Sequence, residues 1–176
     1  MANFEIKDGV AIIPEGTTKI EDCAFQDCSS LTSVTIPNSV TEIGDSAFYY
    51  CSNLTGIVIP DNVRRIGNAA FSRYFNIVDI TIPSNVAEIG ASAFEDCVKL
   101  SNVKYQAKAC VIKEKTFKGC LSLDTISIPE GVTKIAKEAF MNCKKLPSIS
   151  IPSSLNEIGT GAFKNCAALV DCTLPE

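Results

Sequence analysis

Apolar residues return along this chain every 23 positions. Phenylalanine stands at Phe25, Phe48, Phe71, Phe94, Phe117, Phe140 and Phe163, and proline at Pro14, Pro37, Pro60, Pro83, Pro129, Pro152 and Pro175; Gln106 fills the one proline slot left over. The run from Leu31 to Cys51 displays the content of one period. Val34 and Ile36 alternate with Ser33 and Thr35, a period of two in β-branched residues that predicts a short half-buried strand. Pro37 has no N–H to give a ladder and ends it. Val40 and Ile43 form the next apolar pair and predict a second short extended segment. Gly44 permits a sharp change of direction. Asp45 or Ser46 is placed to cap a single helical turn through Ala47, Phe48 and Cys51. Leu54 then begins the next strand. A register kept this long without an insertion predicts a solenoid.

The periods are not equal in quality. Residues 1–12 do not fit the repeat, and Phe4, Ile6, Val10 and Ile12 alternate with polar or small residues, so this stretch reads as a terminal strand or hairpin over the exposed core of the first coil. Coil one (14–28) has Glu21 at the glycine slot. Coil two (31–53) is nearest the ideal. Coil three (54–76) is basic and aromatic, with Arg64, Arg65, Arg73, Tyr74 and Phe75. Coil four (77–99) returns to the pattern. Coil five (100–122) departs most, with Tyr105, Gln106, Ala109, Lys113 and Thr116 at apolar, Pro, Val, Gly and Ala slots. Coils six (123–145) and seven (146–168) are regular apart from Ala136 for Gly.

The pattern Leu-x-x-Ile-x-Ile-Pro-x-x-Val-x-x-Ile-Gly-x-x-Ala-Phe-x-x-Cys, carried from Ile13 to Pro175, resembles the BspA-type, or Treponema-type, leucine-rich repeat. The resemblance implies a β-rich, right-handed leucine-rich repeat solenoid. Each coil would give one strand to a parallel concave sheet, then a second short extended segment, then one helical or irregular turn. It also implies a binding protein, often on a microbial or protist surface, with no catalytic residues to carry over. The organisation expected is a single domain over 1–176: an N-terminal cap at 1–12, about seven coils over 13–168, and an uncapped final strand at 169–176. That open strand invites pairing with another chain, either the next coil of a longer array or a second copy in end-to-end self-association.

Composition narrows the function. Net charge is −4, which argues against a nucleic-acid backbone binder, since such proteins carry a basic face. No apolar run approaches the roughly 20 residues of a membrane helix. No charged-then-apolar leader follows Met1, leaving three expectations: the protein stays inside the cell, leaves by another route, or has lost a leader. The chain has no His, which removes the commonest general base and triad partner, and no Gly-rich phosphate loop. No enzyme activity, cofactor or metal is expected.

Nine cysteines are present. Cys28, Cys51, Cys97, Cys120, Cys143 and Cys166 occupy the repeat slot, Tyr74 takes it in coil three, and Cys23, Cys110 and Cys172 lie elsewhere. An odd count and the absence of any Cys-x-x-Cys argue against a disulfide framework and against zinc. The slot cysteines read as small buried thiols stacked on one another. The other reading is redox pairing, because stacked coils lie about 4.8 Å apart. Cys110, at a corner, is expected to be the most reactive.

Two surfaces are candidate binding sites. The outward strand positions are Ser33, Thr35, Val58, Asp79, Thr81, Asn102, Lys104, Thr125, Ser127, Ser148 and Ser150, with Gly56 among them and Asp171 and Thr173 beyond. They read either as a solvated β face or as a shallow polar groove for an extended polypeptide or a glycan. The position after the Cys slot gives Phe75, Val98 and Leu121 in adjacent coils. This is an apolar stripe that either marks a contact or tucks beneath a neighbouring turn. Coil five is expected to break the curvature and present Tyr105 and its lysines beside that stripe, toward an acidic partner. The sequence therefore predicts a non-enzymatic protein-binding or adhesion module of a microbial or protist surface protein, taking a protein (a host extracellular protein among them) or a glycan. The alternatives are an intracellular protein–protein scaffold, favoured by the missing leader, and ice or crystal-surface binding by the Ser/Thr rows.

Overall fold

The computed structural model describes residues 4–173, with side chains through 170. The alternation seen at Ser33 to Ile36 becomes one face of a β-solenoid, carrying β1 (Ile6–Lys7), β2 (Val10–Ile12), β4 (Ser33–Thr35), β7 (Asp79–Ile82), β9 (Asn102–Tyr105), β11 (Thr125–Ile126), β13 (Ser148–Ser150) and β15 (Asp171–Thr173). A second face carries two-residue strands around the repeat isoleucine: β3 (Lys19–Ile20), β5 (Glu42–Ile43), β6 (Arg65–Ile66), β8 (Glu88–Ile89), β10 (Val111–Ile112), β12 (Lys134–Ile135) and β14 (Glu157–Ile158). Coil-to-coil pairs are parallel with partners one period apart, as in Ala11↔Val34, Ile43↔Ile66 and Thr81↔Lys104. At the N-terminus β1 pairs antiparallel with β2, Ile6 opposite Ala11.

Between the two faces the repeat phenylalanines stack ring on ring. Centroids are 5.1 Å apart from Phe25 to Phe48 and 5.3 to 5.6 Å onward to Phe163, with planes within 15° of parallel. Phe4, which lies outside the 23-residue register, extends the column against Phe25 at 5.4 Å. Phe48 through Phe140 are fully buried.

The slot cysteines run alongside this column. Five of the six thiols donate to the carbonyl of the phenylalanine one coil earlier: Cys51 to Phe25, Cys97 to Phe71, Cys120 to Phe94, Cys143 to Phe117 and Cys166 to Phe140, all at 3.1 to 3.2 Å. Burial pushes the Cys51 and Cys97 thiols up to about 12. They are therefore protonated donors, poor in the thiolate that oxidation needs. No disulfide joins the described cysteines. Tyr74, in the same slot, is fully buried and its hydroxyl has no partner among the described residues.

Of the two expected forms, helical or irregular, the return segment takes the irregular one, and no helical turn is capped by Asp45 or Ser46. The N–H groups of Ser46, Phe48 and Tyr50 donate to Asn68, Ala70 and Ser72 of the next coil at 2.8, 2.8 and 3.0 Å. Those between them, on Ala47, Tyr49 and Cys51, reach back three residues to Gly44, Ser46 and Phe48. A helix would keep all these donors within its own segment. Here overlapping turns send every second one across to the neighbouring coil, and Ser46 and Tyr50 take φ of +54° and +56° to do so. Such left-handed non-glycine backbone costs about 1–3 kcal/mol per residue, and the inter-coil bonds offset it.

Glycine at the corner answers a different need from the one expected. Gly44, Gly67 and Gly90 are not left-handed. A Cβ on Gly44 would lie 2.6 Å from the Asp22 nitrogen, and one on Gly90 2.3 Å from the Asn68 nitrogen. The slot is glycine because the preceding coil's backbone passes through that space. Lys113 puts a long side chain there in coil five. The bond from this slot to the preceding coil's isoleucine, 2.8 Å at Gly44, Gly67, Gly90 and Ala136, is absent at Lys113 among the described residues. The second sheet accordingly divides into β3-β5-β6-β8 and β10-β12-β14. On the concave side Gln106, freed from the proline constraint, donates to Ile82 at 3.0 Å. Tyr105 is buried and not presented outward, a correction that follows from its place on the inward side of β9. The lysines of coil five also fail to gather. Lys104 lies on the concave sheet, Lys113 pairs with Glu88 on the second face, and Lys118 bridges Glu95 and Glu138 on the turn edge.

Two outcomes follow from this core. Phe94→Ala should destabilise the domain by about 3–5 kcal/mol, read from urea unfolding, because it opens a gap in a column with rings on both sides; a loss below about 1 kcal/mol, the size of a surface change, would exclude the stack. Of the described cysteines, exposed Cys23 and Cys110 should react with a thiol reagent in the native protein. Buried Cys51, Cys97, Cys120 and Cys143 should react only after denaturation, as mass spectrometry of the labelled protein would report.

Candidate functional site

The concave sheet is interrupted, and its interruptions hold its clefts. β4 and β7 flank coil three, where Thr55 to Ile59 form no strand. Gly56, at the outward position held by Ser33 in coil two, weakens a strand there because it has the most backbone freedom to lose and no side chain to pack. A cleft of about 550 Å³ opens beside it, lined by Val58, Asp61, Asp79, Thr81, Asn102 and Lys104 over Ile57, Ile59, Ile80 and Pro83. A second cleft, about 330 Å³, lies where β11 and β13 do not pair, lined by Asp124, Thr125, Ser127, Pro147, Ser148 and Ser150.

Of the outward residues named from sequence, Val58, Asp79, Thr81, Asn102 and Lys104 thus meet in one cleft and Thr125, Ser127, Ser148 and Ser150 in another. Ser33 and Thr35 are exposed on β4 outside both. The side chains of Asp171 and Thr173 lie outside those described. Val58 is 80% and Ile12, in the same column, 70% exposed.

The turn edge carries the stripe. Phe75 and Val98 are half-buried and Leu121 is exposed. The Tyr50 ring meets Phe75 edge-on at 5.5 Å, and the Arg73 guanidinium lies 5.9 Å from the Tyr49 ring centre and 3.7 Å from Asp96. Sequence reasoning missed this grouping of Tyr49, Tyr50 and Arg73. Its signal was the adjacent tyrosine pair one period before Ser72 and Arg73.

Charges alternate across the second face. Lys19 pairs with Glu42 at 3.4 Å, Glu42 with Arg65 at 2.9 Å, Arg65 with Glu88 at 3.5 Å, and Glu88 with Lys113 at 2.6 Å; Lys134 and Glu157 follow at 2.9 Å. The Lys113 hydrogen bond, opposed by partial burial and helped by Arg65, holds Glu88 below the ordinary carboxylate range. At Asp45 burial pushes the other way, and hydrogen bonds from the Asn68 side chain and backbone and from Arg65 outweigh it, so this carboxylate is also lowered. Among the described residues no group of three or more His, Cys, Asp or Glu converges to hold a metal, and no helix is long and apolar enough to cross a membrane.

The repeat geometry can be set against known proteins. The model of the BspA type leucine rich repeat region matches in six copies, over residues 8–122 and 110–176. The chain belongs to the BspA-type leucine-rich repeat family. Its structure is similar to a leucine-rich repeat protein from Eubacterium ventriosum (TM-score 0.82, 28% identity, covering 99% of this chain and 46% of that one). It is also similar to the Treponema pallidum leucine rich repeat protein (0.79, 27%, 92% and 78%). A third similar structure is a leucine rich cell surface protein from Faecalibacterium prausnitzii (0.66, 30%, 94% and 59%). The chain thus spans less than two thirds of the F. prausnitzii and E. ventriosum proteins. No curated protein matches the chain. Membership of this leucine-rich repeat family places the chain among protein-binding repeat modules.

The lowered carboxylates set a pH dependence. Glu88 and Asp45 titrate in the folded state below their unfolded value, near about 4. Their contribution is therefore fully present above that value and is lost as pH falls through the folded-state values. The urea midpoint should drop between about pH 6 and about pH 3, and more gently in the Glu88→Gln variant.

Proposed function

We propose that this chain is a non-enzymatic binding module of a microbial or protist surface protein, and that it takes a protein or glycan partner on the concave face. The observation that carries this reading is the pair of clefts at the breaks in the concave sheet, which bring together nine of the outward residues just named. Asp79, Thr81, Asn102, Thr125, Ser148 and Ser150 carry short polar side chains on paired strands, so they present hydrogen-bonding groups at low entropic cost. They lack the Trp and Arg anchors of strong hot spots, so affinity is modest at each coil and grows by repetition. The name of the F. prausnitzii protein supports a surface location.

An intracellular protein–protein scaffold is the second reading. The exposed thiols of Cys23 and Cys110 support it, because unpaired surface thiols persist best in a reducing compartment. Protease shaving of intact cells separates the two: loss of the protein from intact cells fits the surface, and protection fits the interior.

The face is tested by capture from candidate host or cell extracts and on a glycan array. Thr81→Lys with Ser127→Lys should reduce capture roughly tenfold or more, while Leu121→Ser should not. The opposite result would move binding to the turn-edge stripe.

A further inference from the structure

We propose that the larger cleft is a subsite for an extended polypeptide segment that carries a basic residue next to an apolar one. This rests on the concave-face reading and specifies its ligand.

Gly56 is the starting point. It is not left-handed, and a Cβ built on it meets nothing within 4 Å. Neither backbone conformation nor packing requires glycine here, in contrast to Gly44, Gly67 and Gly90, where a neighbouring coil fills the space. Gly56 is exposed one period before Asp79, at the edge of the cleft, and without a side chain there the approach to Asp79 from coil three stays open. The volume of about 550 Å³ falls within the range of small-ligand sites, about 300–1,000 Å³.

The lining is polarised. Asp61 and Asp79 are exposed on the same cleft, and neither has an ion-pair partner among the described residues. Val58 presents an apolar side chain one coil before Thr81, and Lys104 pairs in register with Thr81 one coil further on. A ligand lying across these three coils meets carboxylates and an apolar surface first and an ammonium last. Coils repeat about every 4.8 Å and an extended chain advances about 3.4 Å per residue, so roughly three to four residues cover the site. A Lys or Arg placed against Asp79, with an apolar neighbour over Val58, matches this arrangement by charge and by surface type. The cleft has no aromatic ring among its lining residues on which a sugar face would stack, and this favours polypeptide over glycan.

The test uses a random peptide library panned on the intact chain, followed by synthetic forms of the enriched peptide and of its charge-reversed counterpart, with an oligosaccharide array as the second arm. Gly56→Val is the decisive variant. Its Cβ enters open space and a β-branched residue suits the strand, so the melting temperature should hold or rise. Enriched peptides should carry a basic–apolar pair. They should bind Gly56→Val and Asp79→Asn on the order of tenfold more weakly, and the charge-reversed peptide should not bind. No enriched motif, a motif without a basic residue, affinity unchanged in a stable Gly56→Val, or binding confined to the oligosaccharide arm would each overturn the proposal. If peptide affinity ignores Gly56→Val but falls with Ser127→Lys, the concave face stands and this subsite does not; if it ignores both, both readings fail.

Discussion

Coil-to-coil contact at a fixed interval of 23 residues is the constraint on which the rest of this molecule depends. No coil can bury its own phenylalanine, complete its own ladder, or satisfy the alternate N–H groups of its turn run. Each of these needs the coil above or below. The phenylalanine column, the thiol-to-carbonyl bonds and the inter-coil backbone bonds all repeat with nearly constant distances. In such an array stability is close to a sum of coil and interface terms, so a weak interface is felt locally and tolerated. The alternating charges from Lys19 to Lys113 add little individually, since exposed pairs are worth about 0–1 kcal/mol. A shift of one coil against the next would separate these opposite charges, and so the ladder reinforces register.

That tolerance leaves room for functional irregularity. Coil three gives up its concave strand around Gly56, and coil five gives up its second-face pairing with coil four, yet the phenylalanine stack runs through both without a change in spacing. The core carries continuity and the sheets carry variation. The concave clefts arise where ladder pairing fails while the core beneath stays closed.

The fold was largely legible in the chain because a strict period leaves few ways to satisfy its apolar positions. Strand positions, the buried phenylalanine column and the stacked thiols follow from residue type and spacing alone. The helical turn did not follow. Ser, Asp and Ala at those positions suit a capped helix as well as a run of turns, and the choice falls to bonds with residues 22 positions away. The glycine at the corner was visible, but its reason was not, since the clash it avoids is with the preceding coil. Tyr105 and the lysines of coil five were expected together because they are close in sequence. A coil turns through three faces in 23 residues, so sequence neighbours end on different sides.

The outward residues were identifiable one by one, but their grouping was not. Alternation fixes that Val58, Asp79 and Lys104 point away from the core. It cannot say that pairing lapses at coil three and gathers them around one opening. By itself the sequence determined the period, the core and which side chains face out, because these depend on local alternation and hydrophobic burial. Only the tertiary structure decided where the ladders break, which donors cross between coils and which outward residues share a cleft, because those are set by contacts between segments a full period apart.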